Sequence, residues 1–460
     1  MIRIVGTELR RSSAAAVALL SLLVATALLL SFPQGFAGRW MQLAVSARMM
    51  LMLMWPLALA GGAWLGRRDA RSRVGELFAS TARPRWQRVL PTAGALAITL
   101  VGAYVLMFLV GAAWVAPTAR YFPIATIAVT AVGALSLVAA GWLGMAAGRA
   151  VPRLVTAPAL AVVAVAVVGL LPDWMSASGL DGDTPDPTAL LLSPVFSRGV
   201  DDFQTVAARV NLTQALWLAA LAATGLLLLG AVRRRAVALA VLPAMLGGAV
   251  AVPLMPAGGY DAAPVLDPSA VELVCDDDGR QVCVTRVHAA LLPDVVGPVR
   301  QALALMAAKL PDAPTRAIES REISTFWEPQ DPVRIGPKPP ADALVFANPL
   351  IGGTGRADFS KEPFLPYLLT AAWQRDCGDE AEHGGDAHLA RVVAAAWLTG
   401  QPPVPEVWWQ PEEQARVEAG YRALTALPPD EQLRRMVAAR DAALDCRTDV
   451  LVSILPGETP

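Results

Sequence analysis

Seven stretches of this chain, residues 13–32, 49–66, 89–115, 124–148, 154–171, 212–232 and 236–256, contain no Asp, Glu, Lys, Arg or His. Crossing a hydrocarbon layer of about 30 Å takes roughly 20 apolar residues in helix, and all seven meet or approach that length. A helix buried in a large soluble core keeps a polar face, and these stretches have none. Only 17% of the 460 residues are charged, against about 25% in soluble domains. The expected fold is a polytopic α-helical membrane domain of seven spans. The first stretch ends at Phe32-Pro33-Gln34 rather than at the small residues of a signal-peptide cleavage site, so it is read as a span.

The net charge of −1 hides two unlike halves. Residues 1–257 hold 20 Arg, no Lys and 9 acidic residues, a net of +11, whereas residues 258–460 hold 18 Lys and Arg and 30 acidic residues, a net of −12. Neither balance calls for a nucleic-acid partner. The arginines of the first half are unevenly placed. Fifteen fall before the first stretch or in the loops after the second, fourth and sixth, and the other loops hold Arg39, Arg48, Arg120, Arg198 and Arg209. Cytoplasmic loops carry the excess of positive charge. The N-terminus is therefore expected in the cytoplasm, and seven spans put residues 258–460 outside the plasma membrane.

All four cysteines, Cys275, Cys283, Cys377 and Cys446, lie in that external segment. An even count in an oxidising compartment reads as disulfides. Cys275 and Cys283 flank Asp278-Gly279 between two β-rich runs, a hairpin signal that brings them together. Cys377 and Cys446 then pair by elimination.

With no ionisable residue inside the seven stretches, and Arg48 assigned to the loop before the second, the membrane half lacks the usual mark of ion-coupled carriers and voltage sensors. It is expected to be a passive path, an anchor, or a machine driven from outside the bilayer. The loop 66–88 is the informative one. Val74, Leu77 and Phe78 share a helical face, Arg71 and Arg73 precede them, and Pro84 stops the helix. An Arg-rich segment binding anionic headgroups would share this composition.

The order of these segments resembles type-2 ABC exporter permeases, in particular the actinobacterial group. Residues 1–12 match the amphipathic elbow helix of that family, and Arg73-Val74-Gly75-Glu76-Leu77-Phe78 followed by Arg83-Pro84-Arg85-Trp86 matches its coupling helix. Residues 172–211, with an apolar piece 188–195 and then 203–210, stand where the family has short external re-entrant helices. The resemblance covers residues 1–232. It implies a six-span permease core over 13–232, a permease dimer, and a separate cytoplasmic ATPase that meets Arg73, Gly75, Glu76, Leu77 and Phe78. The chain departs from the family in a seventh span, 233–257, and in its external domain, 258–460.

No ATPase motif accompanies the core: Gly352-Gly353-Thr354-Gly355-Arg356 lacks the P-loop spacing and its Lys. The external domain is expected to be α+β, with strands around the disulfide hairpin and four helices towards its C-terminus. Some permeases of the group carry an external domain distantly like zinc aminopeptidases. Here His383 and His388 stand five apart in a Gly-Gly loop, without the His-Glu-x-x-His geometry. His288 reads as a structural residue, and the Trp residues, including the pair Trp408-Trp409, as core more than as a binding platform. The chain is therefore expected not to be an enzyme and to need no cofactor. The expected function is that of an ABC-type permease with ATP hydrolysed on another subunit, and with an envelope or substrate-delivery partner outside. The alternative is a seven-span anchor presenting a sensor or envelope-binding domain.

Overall fold

A computed structural model describes residues 13–68, 85–170, 188–196, 199–325, 328–340, 342–360, 363–374, 385–404 and 409–454. The chain divides into two compact units between Asp267 and Pro268.

The first unit is helical. Its helices are α1 (Ser13–Ser31), α2 (Trp40–Met49), α3 (Leu51–Gly66), α4 (Arg85–Val115), α5 (Ala125–Ala150), α6 (Thr156–Val165), α7 (Ala208–Gly230) and α8 (Arg234–Leu254). Most of α4, with α5, α7 and α8, is long and apolar enough to cross a membrane, and α2 with α3 passes the same test as one pair bent by 44°. The stretches around α1 and α6 form shorter apolar helices, Ala15–Ser31 and Thr156–Leu170. The outward faces stay apolar: Leu23, Ile98, Leu109, Ile127, Val162 and Leu246 are all more than half exposed. In water such a surface would aggregate; in lipid it needs no cover.

The centre of this unit is the crossing of α3 and α5. A Cβ placed on Gly144 would lie 2.0 Å from the Leu59 carbonyl oxygen, and one on Gly148 2.0 Å from that of Ala63. The two backbones touch directly, as small residues allow where no hydrophobic effect drives helices together. Between α6 and α7 the chain forms a 3-10 turn, Thr188–Leu192, and then strand β1 (Gln204–Val206). Strand β1 pairs antiparallel with β2 (Pro264–Leu266), with Val206 opposite Pro264. This pairing ties residues 258–267 to the helical unit, so that unit ends after the composition change near residue 257.

The second unit is built on a four-stranded sheet in the order β3 (Leu273–Asp276), β4 (Val282–Thr285), β5 (Arg316–Glu319), β8 (Ala343–Phe346). β3 and β4 form an antiparallel hairpin with Cys275 opposite Cys283. β4, β5 and β8 run parallel. Helix α9 (Leu292–Lys309) connects β4 to β5, the crossover that parallel neighbours require. A second hairpin, β6 (Glu322–Thr325) with β7 (Glu328–Arg334), stands apart from this sheet. Helices α10 (Phe364–Thr370), α11 (Gly385–Thr399), α12 (Pro411–Thr425), α13 (Pro429–Leu444) and α14 (Thr448–Val452) follow. The core joins Val282, Val284 and Phe346 of the sheet to Val295, Val299 and Met306 of α9 and to Trp373 and Val393.

The segment Arg286–Lys309 is also long and apolar enough to count as a span, which brings the candidates to five, or six with the bent pair. It carries Asp294, Arg300 and Lys309; one face lies in this core, and the other exposes Gln301 among small residues. It is an amphipathic helix of the second unit.

Candidate functional site

The one fully buried ionic side chain among the described residues of the helical unit is Arg48, with 0% of its surface exposed. This overturns its assignment to a loop, and with it the expectation that the membrane half holds no ionisable group. Arg48 lies on α2, two residues before the bend at Met50. Its depth follows from its neighbours. A Cβ on Gly133 would be 3.0 Å from Arg48 Cδ and 2.3 Å from Tyr104 Oη. Gly133 stands about 12 Å along α5 from its start, and Tyr104 about 16 Å from the end of α4, at 1.5 Å per residue. The guanidinium therefore sits inside the layer spanned by the helices. The sequence reading missed it because a window of hydropathy stops at the first charge, and only packing shows that Gln42, Ser46 and Arg48 continue the helix.

Arg48 Nε donates to the Pro194 carbonyl at 2.7 Å, and Nη2 donates to Gln214 Oε1 at 3.1 Å. Gln214 Nε2 in turn donates to the Leu191 carbonyl at 2.7 Å. The Phe196 ring centre is 5.6 Å from Arg48 Cζ, and Tyr260 packs edge-on against Phe196. Arg48 Nη1 and Tyr104 Oη are buried without any hydrogen-bond partner. No carboxylate reaches this guanidinium among the described residues. The acids nearby serve other groups: Asp202 accepts from Arg39 at 2.6 Å and from Gln42 at 2.8 Å, and Asp267 accepts from Tyr121 at 2.7 Å.

Residues 188–196 and 199–206 thus lie on the bundle end where α3 and α7 begin, held by Arg39, Gln42, Arg48 and Gln214. At the other end, where α3, α5 and α7 finish, Arg67 donates to the Arg153 carbonyl and Arg149 to the Leu229 carbonyl. Trp86 packs beside Gly230 there. Among the described residues, Arg67, Arg149 and Arg153 of the larger arginine group stand at this end, and Arg39 of the smaller group at the opposite one.

On the other side of the 188–196 segment is a cleft of about 240 Å³, lined by Trp55, Val168, Leu190, Pro194, Trp217 and Leu221 among others. Trp55 Nε1 is buried there without a partner.

The expected coupling residues Arg73, Gly75, Glu76, Leu77 and Phe78 lie outside the described residues, as do the elbow 1–12 and most of the loop 66–88. Cys275 and Cys283 form the expected disulfide. Cys446 is disulfide-bonded, and Cys377, its expected partner, lies outside the described residues. His288 is indeed built into the structure: its Nδ1 donates to Glu319 Oε1 at 2.6 Å, and Asn348 Nδ2 donates to the same oxygen. Glu319 Oε2 accepts the Thr285 backbone N–H. These groups join the carboxyl ends of the parallel strands β4, β5 and β8, and no sequence signal pairs them.

His388 is on α11 rather than in a loop, edge-on to Trp409, and His383 lies outside the described residues. Among those residues no group of three His, Cys, Asp or Glu could hold a metal. Gly352–Arg356 closes on itself through the Gly352 N–H and the Arg356 carbonyl, and Arg356 pairs with Asp294 at 2.6 Å. Trp373 and Trp397 are core.

In comparisons with known proteins, no family model, no curated protein and no solved structure matches this chain. The functional reading therefore rests on segment order and on the chemistry of the helical unit.

Proposed function

We propose that the chain is the membrane permease subunit of a type-2 ABC exporter-like transporter. In this reading it has seven spans, a cytoplasmic N-terminus and an external second unit. It works as a dimer over two separate ATPase subunits. ATP binding draws those subunits together, and the coupling helices tilt the spans between two states.

The observation that supports this most is the segment between α6 and α7. Its turn Thr188–Leu192 and strand β1 pack onto one end of the bundle, where the exporter core has its external elements, while Arg67, Arg149 and Arg153 stand at the other end. A plain anchor has no need of a buried arginine clamping such a segment.

The test is co-purification with a candidate ATPase and ATP turnover in nanodiscs. Truncating a buried aromatic at a junction commonly costs about 2 kcal/mol or more of binding, and a rim charge mainly alters rate and salt dependence. Phe78→Ala and Glu76→Arg are expected to release or uncouple the ATPase, and Arg71→Gln to do much less. If the first two variants co-purify and hydrolyse ATP like wild type, the coupling assignment is wrong and the anchor reading takes its place.

A further inference from the structure

We propose that Arg48 and Tyr104 receive the anionic head of a slender amphiphile whose apolar chain occupies the adjoining cleft. This names a substrate class for the transport reading above and rests on it.

Two observations meet here. The first is an incomplete polar site. A guanidinium carries five N–H donors and no acceptor. At Arg48, Nε and Nη2 meet neutral oxygens, and Nη1 meets nothing. Tyr104 Oη, also unpartnered, packs on Gly133 beside the Arg48 side chain. A buried charge is retained where something pairs with it, and the described residues supply no anion. An anion that reaches this guanidinium would complete the site.

The second observation is the cleft. Its 240 Å³ is below the roughly 300 Å³ at which pockets for compact small molecules begin, which suits one extended chain. Its lining side chains are apolar apart from Ser193 and the indole N–H groups of Trp55 and Trp217. Head site and cleft share a wall, because Pro194 both accepts from Arg48 and lines the cleft. That wall is held by hydrogen bonds from Arg48 and Gln214 to uncharged carbonyl oxygens. An incoming anion offers the guanidinium an opposite charge where the Pro194 carbonyl offers only a dipole, and competes with it. Releasing that carbonyl opens the cation to the cleft, so binding of the head and entry of the chain are one event.

The experiment uses the purified full-length protein in nanodiscs and reads quenching of tryptophan fluorescence by 11-bromoundecanoic acid, 11-bromoundecyl phosphate and 11-bromoundecanol. The difference between wild type and a Trp55→Phe/Trp217→Phe variant isolates the cleft. Both anions are expected to bind about tenfold or more tightly than the alcohol, in line with a hydrogen-bonded charge against a neutral group. Whichever anion binds better identifies the head as carboxylate or phosphate. Arg48→Gln is expected to abolish the preference for the anions, and Tyr104→Phe to reduce it. The proposal is overturned if wild type binds the alcohol as tightly as both anions, or if Arg48→Gln keeps the preference. It is also overturned if wild type and the Trp55→Phe/Trp217→Phe variant are quenched alike. No ATPase enters this assay, so its failure and a failure of the coupling test are read separately.

Discussion

Replacing Gly148 by Ala should do disproportionate damage for one added methyl group. The new Cβ would stand 2.0 Å from the Ala63 carbonyl oxygen. An ordinary contact between these atoms is about 3.3 Å, so α3 and α5 must separate by about 1.3 Å at this level. The obstacle is backbone on both sides, and no rotamer change can absorb it. A gap of 0.5–1 Å already forfeits a quarter to a half of the dispersion well at each contact. Overpacking of this kind costs about 1–3 kcal/mol. Gly144→Ala meets the Leu59 carbonyl at the same 2.0 Å and should behave alike. Gly94→Ala and Gly102→Ala on α4 are the controls, since nothing lies within 4 Å of a Cβ there. They should be neutral, or stabilising by up to about 1 kcal/mol from helix propensity. The assay is thermal unfolding of the full chain in one detergent, followed by tryptophan fluorescence. Equal melting temperatures for Gly148→Ala and Gly102→Ala would refute the direct backbone contact and, with it, the α3–α5 crossing.

Three further outcomes concern the second unit, and one concerns topology. Removing the Cys275–Cys283 bridge, with eight residues of sequence separation, should cost about 2.5 kcal/mol on the chain-entropy estimate, read as a lower melting temperature of the Cys275→Ser/Cys283→Ser variant. Glu319→Ala leaves the Thr285 N–H without its acceptor and His288 Nδ1 with the longer contact to Thr285 Oγ1, and should destabilise the unit by about 1–3 kcal/mol; an unchanged midpoint in denaturant unfolding would contradict the buried network. Hydrogen bonds from Arg316 first, and Thr315 second, hold the Asp342 carboxyl below its usual range. A depressed acid contributes stability above its unfolded pKa of about 3.9 that is lost as pH falls through the folded value. Asp342→Asn should therefore remove part of the acid sensitivity of unfolding between about pH 5 and 3, and unchanged acid profiles would rule this out. Single cysteines at positions 72 and 269, in a background without native cysteines, should be respectively shielded from and open to a membrane-impermeant thiol reagent in intact cells. The reverse pattern would invert the proposed orientation.

Much of the architecture is legible in one dimension because the forces that set it are local. Uncharged apolar runs become helices with apolar outer faces, since lipid or core leaves the backbone no partner but itself. The hairpin around Asp278-Gly279 follows from turn chemistry, and it brings Cys275 to Cys283. The spacing of apolar residues in 386–398, 412–424 and 431–444 marks helices that the structure extends by at most two residues at either end.

What the tertiary structure alone decided is where isolated polar groups go. Arg48 reads as a loop residue because its sequence neighbours end an apolar run, yet the bend at Met50 and the space left by Gly133 carry it into the bundle. Its partners, Pro194 and Gln214, stand about 150 residues away, and no local pattern ties them to it. The same holds for His288, Glu319 and Asn348, which belong to three separate segments and meet only because β4, β5 and β8 run parallel. Glycines four apart in α3 and α5 are visible in the sequence, but which helix they face is a property of packing. Burial and long-range pairing depend on the whole fold, whereas helix, turn and apolar periodicity depend on residues within a few positions of one another.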